Sequence, residues 1–177
     1  DLKSCFDKII EEKYTSKGNI VINSGSAGGM SNGFMMNNYP DYLKGVCTSV
    51  GFVTVLLTML NPKLGLTKIE EFLWGSALKS KKAFEYILKY DPYYGIKKQG
   101  YPMLYFSNSL TDPRVGFYES IKLIQKIREH DQSKNPIIIR CDLSASHGGA
   151  SSRWDSLKKD VIPEQAWILK LFNKHKP

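Results

Sequence analysis

Three residues of this sequence are of the types, and in the chain order, needed for nucleophilic acyl transfer without a metal: Ser26, Asp112 and His147. A serine hydroxyl is a weak nucleophile on its own. It needs a base within hydrogen-bond reach, and the base needs an acid that fixes its tautomer. Ser26 lies in Ser24-Gly25-Ser26-Ala27-Gly28-Gly29, between the apolar run Ile20-Val21-Ile22 and a stretch of helical spacing. Strand, sharp turn and helix in that order make a nucleophile elbow, which lifts the serine above a sheet. Small residues are required there because strand and helix approach closely around a strained serine. Gly28 meets that need two positions after Ser26, while two positions before it the glycine of the motif is replaced by Ser24. The helix start aims N–H groups and a positive dipole end at the turn, so the Ala27 N–H is the expected oxyanion donor. Read alone, the turn could equally be a flexible loop or a phosphate cradle.

His147 lies in Ser144-Ala145-Ser146-His147-Gly148-Gly149, directly after an apolar run at 137–141. Loops at the carboxyl ends of parallel strands are where such sheets place reactive groups, and small neighbours leave an imidazole room to turn. His130, at the end of a helical stretch, and His175, in a Lys-rich tail, read as exposed side chains. Asp112 precedes Pro113, so its carboxylate is either the acid that orients His147 or the N-cap of a helix with Pro at its first position. Asp142 is a rival acid, five residues before His147 on the same strand end. The order serine, acid, histidine, with the acid after the preceding strand, favours Asp112. The roles that follow are nucleophile for Ser26, general base for His147 and orienting acid for Asp112, with no metal or cofactor required.

Short apolar runs alternate with longer helical spacing, the pattern of an α/β fold built on a mostly parallel sheet with helices on both faces. Strands are expected at 19–22, 46–49, 103–107 and 137–141, and helices at 2–13, 28–38, 81–89, 116–130 and 154–174. Pro163 should kink the last helix or mark a late start. Residues 56–75 look like an excursion off the sheet that shapes a pocket. At 177 residues and 42% hydrophobic content the sequence supports one domain, with no repeat or low-complexity linker. It begins abruptly on Asp1-Leu2-Lys3-Ser4, which reads as part of a longer chain.

The net charge of +8 is spread over scattered lysines, a solvated-surface pattern and not a nucleic-acid site. No run reaches the roughly 18 to 20 apolar residues of a membrane span, and Asp1-Leu2-Lys3-Ser4 lacks the basic then apolar pattern of a secretory signal. Cys5, Cys47 and Cys141 are odd in number and lack metal spacing, so reduced thiols and a cytoplasmic setting are expected, without zinc.

Taken together, Ser26-Ala27-Gly28-Gly29-Met30, the turn and strand from Tyr39-Pro40-Asp41 to Val46, Thr58-Met59-Leu60, Asp91-Pro92-Tyr93, Tyr101-Pro102, the Asp112 segment and Asp142 through Gly149 resemble the catalytic part of the prolyl oligopeptidase family of serine peptidases, in particular its oligopeptidase B branch. The resemblance covers nearly the whole chain. It implies an α/β-hydrolase fold, its C-terminal portion, and cleavage of short peptides after Lys or Arg through an acyl-enzyme. It also implies partners in the upstream half of the same protein: the first strands of the sheet, a β-propeller limiting access, and a tyrosine hydroxyl as second oxyanion donor. The branch's first acidic specificity position falls on Glu70, the expected substrate-binding residue; the second falls on Phe72, with Glu71 between them. Read from the residues alone, Glu70 and Glu71 are as well explained by a solvated turn or helix start. Other readings are an esterase-like hydrolase, an aminopeptidase-type relative, and a non-catalytic pseudo-hydrolase that acts by binding.

Overall fold

The computed structural model describes residues 1–149 and 152–172. Four strands, β1 (Ile20–Gly25), β2 (Leu43–Ser49), β3 (Met103–Ser109) and β4 (Ile137–Asp142), form one sheet in the order β1-β2-β3-β4. All three pairings are parallel, with Val46 opposite Leu104 and Leu104 opposite Ile137. Helices α1 (Leu2–Glu11), α2 (Gly28–Asn38) and α6 (Tyr118–His130) cover one face, where Val46, Leu104 and Phe106 pack with Phe6, Met35, Met36, Leu123 and Ile127. The alternate strand residues Cys47 and Tyr105 face the other way and meet Trp167 of α8 (Ile162–Phe172). Side chains of successive strand residues point to opposite faces, so these apolar runs are buried on both sides, as parallel strands require. Gly45 lets α8 come close, since a Cβ there would lie 2.6 Å from Leu171.

Between β2 and β3 the chain leaves the sheet as α3 (Val55–Met59), α4 (Gly65–Trp74) and α5 (Lys81–Leu88). Phe52, Val55, Leu56, Met59 and Ile87 give this excursion its own apolar cluster. Two buried carboxylates hold it down. Glu119 Oε2 accepts from Val53 N–H at 3.0 Å and Thr54 N–H at 2.9 Å, Glu119 Oε1 accepts from the Thr58 hydroxyl at 2.8 Å, and Asp91 Oδ2 accepts from Leu56 N–H at 2.7 Å.

The expected strands are all present; β1 and β3 run on past their apolar runs because their polar carboxyl ends continue the ladder toward the site, while β2 starts earlier, at Leu43, where it pairs with Ile20. The helix expected at 116–130 starts at Tyr118. The last helical stretch begins at Arg153 and is continuous through Pro163 to Phe172, without a break. A wide π-type turn over Leu157–Val161 precedes the proline. A widened turn answers the proline's missing N–H and the bulk of its ring against the carbonyl four residues back. The final residues assigned to that helix, and His175, lie outside the described residues.

Candidate active site

Ser26 sits at the end of β1 with φ +51°, the left-handed region that a residue with a side chain enters at a cost. Its backbone is held from both sides. The Ser26 N–H donates to Ser49 O at 3.0 Å, and its carbonyl accepts from Gly29 N–H at 2.9 Å and Phe52 N–H at 2.8 Å. The helix approach is as close as the turn demands: a Cβ on Gly29 would lie 2.9 Å from Gly51 Cα, and one on Gly28 would lie 2.7 Å from Ser24 Cβ. The serine at position 24 is thus accommodated by bare space opposite it. Asn32, one turn into α2, ties helix to sheet by donating to Cys47 O at 2.7 Å and Thr48 Oγ1 at 2.9 Å. Ala27 is the N-cap of α2, and its N–H has no acceptor among the described residues.

The structure brings the three expected side chains together. His147 Nε2 lies 3.0 Å from Ser26 Oγ, and His147 Nδ1 lies 2.7 Å from Asp112 Oδ2. A carboxylate only accepts, so the proton of the neutral imidazole belongs on Nδ1, leaving the Nε2 lone pair facing the serine hydroxyl. The Asp112 side chain is fully buried and that of His147 is 14% exposed. Asp112 does not cap a helix with Pro113 at its first position, because α6 begins six residues later. Its other oxygen, Oδ1, instead accepts from Arg114 N–H at 2.8 Å and Val115 N–H at 3.0 Å, a local turn that fixes the carboxylate's plane.

Asp142 is not within the group that touches the imidazole. Its Oδ1 accepts from Ser144 N–H and Ala145 N–H, both at 2.8 Å, and from the Ser144 hydroxyl at 3.1 Å. Those bonds, Ser144 first and then Ala145, hold its carboxyl below the ordinary range. The Ala145 carbonyl in turn accepts from the hydroxyls of Ser109 and Thr111. His147 rides at the tip of a tight turn closed by the reciprocal Ser146–Gly149 pair at 3.2 and 3.0 Å.

Beside Ser26 a cleft is lined by Ala27, Phe52, Met59, Thr67, Glu70 and Arg114. Glu70 reaches it from α4 and accepts from Trp74 Nε1–H at 2.8 Å. Glu71 turns away to Ser76 at 3.0 Å and Lys79 at 2.7 Å, and the lysine, then the serine, lowers its carboxyl's pKa. Phe72 is 80% exposed and forms no part of the cleft. Arg114 was not singled out from sequence, although it stands two residues after Asp112 on the turn that Asp112 organises. It brings a cation to the cleft that holds Glu70.

A parallel sheet, an elbow serine at positive φ, and an imidazole bridging that serine to a buried acid define an α/β-hydrolase domain. Residues 1–175 match the prolyl oligopeptidase family, and the chain belongs to it. It is 34% identical over 148 residues to dipeptidyl aminopeptidase BI of Pseudoxanthomonas mexicana, covering 84% of this chain and 20% of that protein. Protease 2 of Moraxella lacunata is 32% identical over 161 residues, covering 91% and 23%. Among solved structures, oligopeptidase B from Leishmania major superposes with a TM-score of 0.90 at 31% identity, covering 94% of this chain and 23% of that one. Oligopeptidase B from Trypanosoma brucei with covalently bound antipain gives 0.89 at 33% identity, with the same coverage. The chain therefore spans about a fifth to a quarter of the length of these relatives.

Proposed function

We propose that this domain is the catalytic part of a serine endopeptidase of the oligopeptidase B type, which hydrolyses short peptides after Lys or Arg. The observation that carries the reading is the position of His147, within hydrogen-bond reach of both Ser26 and Asp112. Ser26 Oγ attacks the scissile carbonyl as its proton passes to His147 Nε2. The developing oxyanion meets the Ala27 N–H at the start of α2, and Asp112 Oδ2 stabilises the imidazolium through Nδ1–H. His147 then returns the proton to the leaving amine. Water, activated by the same imidazole, hydrolyses the acyl-enzyme and frees Ser26. Glu70 supplies the carboxylate against which a basic substrate side chain is held, with Arg114 in the same cleft moderating that preference.

An upstream part of the same polypeptide supplies the second oxyanion donor, the remaining strands and the β-propeller that limits access. Three free cysteines favour a cytoplasmic protein, and among the described residues no helix is long and apolar enough to cross a membrane. The likeness to dipeptidyl aminopeptidase BI supports a second reading, removal of dipeptides by the same three side chains.

Peptide substrates separate these. The complete polypeptide is expected to cleave internal bonds after Arg and Lys, and Ser26→Ala to abolish cleavage. Glu70→Ala should lower kcat/KM for basic substrates by about 10- to 100-fold, the cost of unpairing a partly desolvated charge, while leaving neutral ones little changed. Equal losses on basic and neutral peptides would remove Glu70 from specificity, and release of dipeptides only from free N-termini would favour the second reading.

A further inference from the structure

The side chain that holds the imidazole's loop is distinct from the one that touches the imidazole. We propose that Asp142 is a positioning residue for His147, anchoring the loop that carries it, an inference that rests on the catalytic reading above. Asp142 Oδ1 accepts three hydrogen bonds from Ser144 and Ala145, the second and third residues after β4. Its Oδ2 lies 3.5 Å from Arg140, whose guanidinium also pairs with Asp160 Oδ1 at 3.0 Å. The loop is thereby fastened to its own strand and, through Arg140, to the π-type turn ahead of α8.

A hollow of about 210 Å³ undercuts the turn, lined by Ser49, Ser107, Arg140, Asp142, His147 and Gly149. Beside that hollow, polar ties at residues 144 and 145, from Asp142 and from the Ser109 and Thr111 hydroxyls on the Ala145 carbonyl, set where the turn begins, and hence where the imidazole points. Reacting groups must be held within a fraction of an ångström, and a displacement of about 1 Å costs on the order of 100-fold in rate.

The test uses the complete polypeptide, with fluorophosphonate labelling of Ser26 and peptide turnover as readouts. Asp142→Ala should slow both labelling and kcat by about 10- to 100-fold with KM within about twofold, since the cleft is untouched. Asp142→Asn keeps an acceptor oxygen for the two N–H groups and should recover the rate to within about threefold of the parent. An Asp142→Asn loss as deep as that of Asp112→Asn would mean that the charge acts on the imidazole directly, and would overturn the inference. So would an Asp142→Ala enzyme as fast as the parent. Hydrogen exchange at Ser144 and Ala145 reads the anchor without chemistry: it should be at least about 10-fold faster in Asp142→Ala than in Asp142→Asn, and equal exchange contradicts the inference. A parent that takes no label counts against the catalytic reading, while the exchange difference still decides the anchor.

Discussion

Ser26 is held in its left-handed conformation by three backbone hydrogen bonds, and a strained non-glycine residue of this kind costs about 1–3 kcal/mol. The strain aims the hydroxyl away from the ladder and toward His147, so a local expense is converted into geometry at the reacting atom. Ser24 shows the limits of what the elbow tolerates. Its hydroxyl is buried without a partner among the described residues, and its Cβ occupies the space that a side chain on Gly28 would need. An unpaired buried hydroxyl costs about 1–3 kcal/mol, so Ser24→Ala is expected to raise stability by roughly 1 kcal/mol, read as a higher midpoint of thermal unfolding. A lower midpoint would show that the hydroxyl has a partner after all. Cys47, by contrast, is chemically quiet. Burial first, then the Glu164 carboxylate, push its thiol up to about 12, far from the thiolate that would react.

At the scale of elements, the excursion α3–α4 stands over the site because Glu119 and Asp91 reach up from beneath it. Burial raises both carboxyls above their ordinary range, against the pull of the N–H donors. A group whose folded pKa is raised contributes fully below its unfolded value and loses that contribution as pH rises through the folded one. Glu119→Gln keeps an oxygen for Val53 and Thr54 and an amide for Thr58 but has no proton to lose. Its unfolding midpoint should therefore gain on the parent as pH rises from about 4.5 to 8. A difference that stays flat or shrinks would contradict a buried, titrating Glu119. These ties also explain which parts were legible in the sequence. The apolar cores of all four strands follow from local pattern and the helix at 28–38 from its place after the elbow turn, since its buried face includes Gly29, Asn32 and Gly33, whereas the ends of β1 and β3 are Asn, Ser and Gly and carry no apolar signal. The excursion is organised by long-range acids, 35 and 65 residues away in the case of Asp91 to Leu56 and Glu119 to Thr54, which no local pattern reveals.

For the whole molecule, the order of Ser26, Asp112 and His147 made the site readable, because parallel strands deliver their carboxyl ends to one edge whatever the spacing between them. The order, with the acid after the preceding strand, also favoured Asp112 over Asp142, and the folded turns bear that out: Asp112 meets the imidazole, while Asp142 holds Ser144 and Ala145. The outer edges of β1 and β4 have no partner strand among the described residues, and Ile69, Phe72 and Leu73 make an exposed apolar stripe on α4. Both features fit a domain completed by further parts of the polypeptide. The most direct test of the account is to treat the complete polypeptide with a fluorophosphonate and map the adduct. A single adduct on Ser26 is expected, with labelling slowed by about 1,000-fold or more in His147→Ala and by about 100- to 1,000-fold in the 177-residue chain alone, which lacks the proposed second oxyanion donor. An adduct on another serine, or labelling of Ser26 that survives His147→Ala undiminished, would contradict it.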